Sequence, residues 1–176
     1  MLIRRIAVGL IALSIFSVIT AFSQSQQKKD IIMWLDDASD KLVQLAEAMP
    51  QEKYSWAPAE GVRSFSEICM HVASANYFFP RLAGIKSETM IDQDMQKKVT
   101  DKKKIISMMK SSFEHVSKAI MDTPDANFDT MVKMYGSDAS TRSVFLLAVI
   151  HSHEHLGQAI AYVRSNGVTP PWSQGQ

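Results

Sequence analysis

Four stretches of this chain repeat their apolar residues at steps of three and four. Ile31, Leu35, Ala38, Leu42, Leu45 and Met49 form the first series. That is the period of an amphipathic helix. It predicts a helix from about Asp30 to Met49, ended by Pro50. Ile68, Val72, Ala75 and Phe79 predict a second helix, from about Phe65 to Leu82. Ser64 stands where its N-cap belongs, Glu67 three residues later completes a capping box, and Pro80 kinks or stops it. The third series is Ile105, Met108, Met109, Phe113, Val116 and Ile120, giving a helix from about Asp101 to Met121 with Thr100 as cap and Thr123-Pro124 as stop. The fourth helix runs from about Thr141 to Arg164, capped by Ser140 and stopped by Asn166-Gly167 and Pro170-Pro171. Val144, Leu147, Ala148, His151, His155, Gln158 and Tyr162 line one of its faces. Strand signals are weak, because no alternating run of β-branched residues exceeds a few positions. Four such helices in a short chain predict an all-α four-helix bundle.

The N-terminus changes that picture by removing itself from it. Met1 to Arg5 is a short positive region, Ile6 to Phe22 is apolar and uncharged, and Ala21-Phe22-Ser23 puts small residues before Gln24. This is the pattern of a signal peptide cut near Ser23/Gln24. It predicts residues 1–23 as signal and 24–176 as one domain, exported to a periplasmic or secreted location without stable membrane insertion after cleavage. An uncleaved anchor helix is the competing reading, since 17 apolar residues approach the length of a span. No cysteine lies near the cut, so a lipoprotein is not expected. The exported part carries 17 basic and 18 acidic residues. No basic field exists to hold nucleic acid. The single cysteine, Cys69, excludes an internal disulfide and sits in an apolar run, which predicts a buried thiol. The eleven methionines read as core fillers.

Candidate chemistry is concentrated in His151-Ser152-His153-Glu154-His155-Leu156-Gly157-Gln158. A spacing of four brings His151 and His155 to one helix face, where two neutral imidazoles can grip one ion. His71 lies mid-way along the second helix and could supply a third donor if the two helices pack together, as bundle metal sites require. The zinc-peptidase HExxH pattern is absent, because Gly157 stands where its second histidine would be. His153 points away from the pair, and His115 beside Glu114 reads as an exposed surface residue.

Three segments resemble the DinB-like superfamily with its YfiT-like branch. The first is Tyr54 to Phe65, reading YSWAPAEGVRSF, followed by the helix that bears His71. The second is His151 to Gln158, an HxxxH followed by Gly-Gln. The third is Ala161 to Trp172, reading AYVRSNGVTPPW. The resemblance implies an up-down-down-up bundle with a long connection between helices 2 and 3. It further implies one divalent metal, zinc or nickel in many members, whose ligands carry over to His71, His151 and His155, and a homodimer. Characterised members include thiol-dependent enzymes, whereas fold likeness delivers no substrate.

An ion held by three neutral histidines keeps a position open and acidifies the water or thiol that takes it. The expected activity is hydrolysis of an unknown small molecule, with thiol transfer, or metal binding without turnover, as alternatives. Three further residues share the ligand faces. Glu67 is read as base, outer partner of a ligand, or capping acid. Gln158 and Tyr162 are read as orienting substrate or water, or as a polar cap on the bundle interior. Trp56 and Trp172 are read as pocket walls or core plugs. No Gly-rich phosphate loop or CxxC is present, so nucleotide and disulfide-exchange chemistry have no support.

Overall fold

A computed structural model describes residues 26–175; the export segment expected at 1–23 lies outside the described residues. The helix α1 covers 26–48 of the described chain. It is followed by α2 (Phe65–Leu82), the short α3 (Gln93–Lys98), α4 (Lys102–Asp122), the strands β1 (Met131–Met134) and β2 (Ser137–Ser140), and α5 (Thr141–Ser165). No helix among the described residues is long and apolar enough to cross a membrane.

The helix directions follow from which ends meet. Lys28, near the start of described α1, pairs with Asp125 just beyond α4, while Lys102 at the start of α4 donates to the carbonyls of Glu47 and Met49. So α1 and α4 are antiparallel. Tyr162 donates to the Arg63 carbonyl and His151 meets His71, so α5 is antiparallel to α2. Asn76 donates to Ser112, and Ala83 lines the same cavity as Asp122, so α2 and α4 run the same way. The order is up, down, down, up. Two parallel neighbours in succession require a long return, and residues 83–101 provide it, with α3 inside.

Two of the predicted caps form as read. Ser64 Oγ accepts from the Glu67 amide while Glu67 Oε2 accepts from the Ser64 amide. Ser140 accepts from the Ser143 amide. The third is corrected: Asp101, and not Thr100, caps α4, accepting from Lys104. A carboxylate there also meets the positive end of the helix dipole. Pro80 does not stop α2, which runs two residues further before Gly84 turns the chain at φ 78°. A proline so near the C-terminus loses one helical bond and no more.

The core holds Leu35, Leu42 and Leu45 of α1, Ile68 and Met70 of α2, Ile105 and Met109 of α4, and Val144 and Phe145 of α5, all essentially inaccessible. Cys69 is buried among them, and burial pushes its thiol up to about 12. The predicted stripe on α2 understates its burial. Packing against both α4 and α5 covers Phe65, Cys69, Ala73 and Tyr77 as well.

The polar 122–139 connector contains an unpredicted hairpin. Met131 pairs with Ser140 and Met134 with Ser137, across a two-residue turn with Tyr135 at φ 51° and Gly136 at φ 85°. Both central residues at positive φ make the turn type that matches strand twist. Tyrosine at the first of them hid the usual Asn-Gly signal.

Candidate metal centre

α2 and α5 cross so that His71, His151 and His155 meet. One nitrogen from each lies within 4.8 Å of the others. His71 Nε2 and His151 Nε2 are 3.2 Å apart. Tetrahedral bonds of about 2.1 Å to a common ion would separate two nitrogens by about 3.4 Å, so His71 and His151 stand at ligating distance already, with a His155 nitrogen within 4.8 Å of both. His155 is buried, whereas His71 and His151 are half-buried.

Two amide side chains choose the tautomers. His71 Nδ1 donates to Gln96 Oε1 at 3.3 Å, and His155 Nδ1 donates to Gln158 Oε1 at 2.8 Å. Each bond leaves an Nε2 lone pair for an ion, the outer support that metal-bound histidines use. From Gln158 the bonds continue in one direction. Its Nε2 donates to Tyr162 Oη at 3.2 Å, and Tyr162 donates to the Arg63 carbonyl at 3.1 Å. Trp56 stacks edge-on against Tyr162 at 5.2 Å and fixes that ring. His151 has no such support: its buried Nδ1 lacks a partner, and Phe79 packs edge-on against its ring at 5.3 Å. Three imidazoles converging from two helices, two of them oriented by amides, make a donor set that fits a divalent ion.

Electrostatics keep two of the donors, His71 and His151, unprotonated. Burial, the Arg63 charge and His155 lower His71 from its usual 6.5 to about 4. Burial, His155, His71 and Arg63 lower His151 to about 3. An unfolded chain therefore binds more protons below pH 6.5 than the folded one does. The metal-free protein is expected to be most stable above pH 6.5. It should lose stability as the pH falls from there towards 4 and then 3. Urea titration of chelated protein on either side of pH 6.5 measures this. The pH dependence should shrink in a His71→Asn/His151→Asn variant; an equal slope in variant and wild type would contradict the assignment.

Residues 35–159 match the DinB superfamily. The chain belongs to that superfamily. The uncharacterized protein YjoA of Bacillus subtilis (strain 168) is 22% identical over 130 residues, spanning 72% of this chain and 82% of that protein. A DinB-like protein of Bacillus cereus ATCC 10987 superposes with a TM-score of 0.68 at 18% identity, covering 76% of this chain and 89% of the other. The YfiT protein of Bacillus subtilis, described as a probable metal-dependent hydrolase with an unusual four-helix bundle topology, gives 0.64 at 18% identity, covering 82% and 90%. These structures share the DinB fold with this chain.

Within this DinB-superfamily bundle, the predicted site residues take distinct places. Glu67 closes the capping box and also lines a cleft of about 860 Å³ beside the histidines. His71, Gln158, Arg63, Gln93, Gln96 and Lys97 line the same cleft. Trp56 and Trp172 pack against the core and do not line it. His153 faces α1, its Nε2 3.7 Å from Asp37 and its ring edge-on to Trp34. His115 is corrected from exposed to half-buried: it packs on Tyr77, and its Nε2 is shut from solvent without a partner. Sequence reading missed Gln96 and Lys97. They sit on α3, a six-residue helix too short to show a periodic stripe. The one local signal was Asp92, whose side chain caps it by accepting from Met95.

Proposed function

We propose that this DinB-superfamily protein is a metal-dependent hydrolase of small molecules, with one zinc or nickel ion held by His71, His151 and His155. The observation that carries the reading is the position of the triad. Three imidazoles meet at the wall of a roomy cleft, and His71 belongs to both. A structural zinc site is closed by a fourth protein ligand, whereas a catalytic one keeps a position open. The description of YfiT as a probable metal-dependent hydrolase supports the same class.

When bound, the ion would supply Lewis acidity, polarising a carbonyl and making water acidic near neutral pH. The chain's residues do the rest. Gln96 and Gln158 hold two rings in the ligating tautomer. Tyr162 anchors Gln158 to the loop before α2. Glu67 uses Oε2 for the cap and lines the cleft, where its second carboxylate oxygen could take a proton from water. In this reading the protein works outside the cytoplasm after loss of 1–23, and as a homodimer. The sequence pattern supports the first and the family resemblance the second.

A panel of esters and amides tests the activity. Turnover should vanish with a chelator and return with added zinc or nickel, and His155→Ala protein should not recover. Turnover that is indifferent to chelation, or none with either metal, argues against a hydrolase.

A further inference from the structure

The cleft beside the triad has an uneven charge. Arg63 enters from the loop before α2 and Lys97 from α3. Both are exposed, and neither forms an ion pair among the described residues. The lysine next in sequence does otherwise: Lys98 is paired with Asp94 on the same short helix. The cleft has one carboxylate, Glu67, and half of it is committed to the α2 cap. Gln93, Gln96 and Gln158 add neutral amides. The whole chain is close to neutral, with a formal charge of +1, so this excess is local.

The ligand chemistry sharpens the imbalance. Three imidazoles bring no negative charge, so a bound divalent ion would keep its full charge beside two unpaired cations. The ion's own charge then dominates the local field. A neutral substrate makes no use of that field. An anion is drawn into it, because a cleft lined by one sign of charge concentrates the opposite sign. Guanidinium offers a flat pair of donors matched to carboxylate or phosphate, and a lysine adds a mobile point charge.

We infer that the substrate of this cleft carries a compact anionic group, a carboxylate or a phosphate, gripped by Arg63 and Lys97 while its reacting centre lies against His71. This names a substrate class for the proposed hydrolase and rests on that reading for the reaction alone; anion capture itself needs only the two cations. Arg63 has a second link to the centre. Its backbone carbonyl terminates the hydrogen bonds that run from His155 through Gln158 and Tyr162. The loop that grips the anion is thereby held in register with a metal ligand.

Calorimetric titration with glutarate, inorganic phosphate and neutral glutaramide tests the inference. It is run on metal-loaded and on chelated protein, for wild type and for Arg63→Gln/Lys97→Gln. Elemental analysis follows the metal in parallel. Both side chains are exposed, and Arg63→Gln keeps the carbonyl that Tyr162 needs, so the variant should fold and keep its metal. Glutarate or phosphate should bind and glutaramide should not. The double variant should bind the anion about tenfold or more weakly, the scale of losing charge-assisted hydrogen bonds. Which anion binds tells carboxylate from phosphate substrates. Equal anion affinity in wild type and variant overturns the inference, as does glutaramide binding as well as glutarate. If the protein holds no metal, the hydrolase reading fails by elemental analysis, and the chelated arm still decides whether Arg63 and Lys97 bind anions.

Discussion

Replacing His151 and His155 with alanine should strip the metal from the protein while the bundle stays folded. Two of the three donors disappear, and the remaining His71 offers a single imidazole. Four-ligand zinc sites in small folded peptides are worth about 10–16 kcal/mol, or roughly 3 kcal/mol per ligand. Loss of two ligands should therefore weaken binding by on the order of four powers of ten. A Gln158→Leu variant is the control. It keeps all three imidazoles and removes the acceptor that holds His155 together with the bond to Tyr162, which should cost about 10–100-fold. Elemental analysis of purified proteins should find about one zinc or nickel per wild-type chain and none in the double variant. Circular dichroism should show the same helix content in both. A double variant that still carries its ion would place the metal elsewhere.

Truncating Tyr54 should be the most damaging single change to stability. The side chain is fully buried, its hydroxyl donates to the Ala46 carbonyl at 2.6 Å, and its ring stands edge-on to Phe65 at 5.3 Å. Its backbone is tied in as well, the carbonyl accepting from the Ser66 amide. One residue thus joins the end of α1 to the start of α2. Burial pushes the phenol well above the ordinary tyrosine range, so it remains a neutral donor. Tyr54→Ala should cost about 3–5 kcal/mol, as for other buried aromatics. For a domain of this size that lowers Tm by on the order of 10 °C. Tyr54→Phe separates the two contributions: it keeps the ring and should cost only about 1–2 kcal/mol for the lost bond. A melting curve for Tyr54→Ala within a degree or two of wild type would refute the linking role.

The four long helices were readable because each carries several turns of apolar period, and two of them begin at a serine cap that formed as read. Ser64 with Glu67, and Ser140, fix backbone amides through their own side chains, a local effect that sequence records directly. The histidine pair was readable for the same reason, since helical spacing alone sets the face of His151 and His155. Their meeting with His71 depends on how α2 packs against α5, which no local pattern encodes; family resemblance supplied that pairing. Elements shorter than two helical turns escaped. Gln96 and Lys97 sit on α3, and the hairpin at 131–140 turns on a tyrosine where glycine or asparagine usually stands. The half-burial of His115 was hidden because it comes from Tyr77 on another helix.

The ligands are far apart along the chain. His71 and His151 are separated by 80 residues, and two of the three donors belong to α5. A ribosome delivers the chain from its N-terminus, so α5 emerges last. Until then the growing chain has one of the three imidazoles and no way to hold an ion tightly. Metal capture by this triad would therefore be a closing event in the making of the protein. It would add its stabilisation only to chains in which α5 is made and folded, because an ion that binds the native state alone shifts the balance towards it. A chain clipped before α5 forfeits the ion along with the helix, and would reach the cell's proteases without that protection.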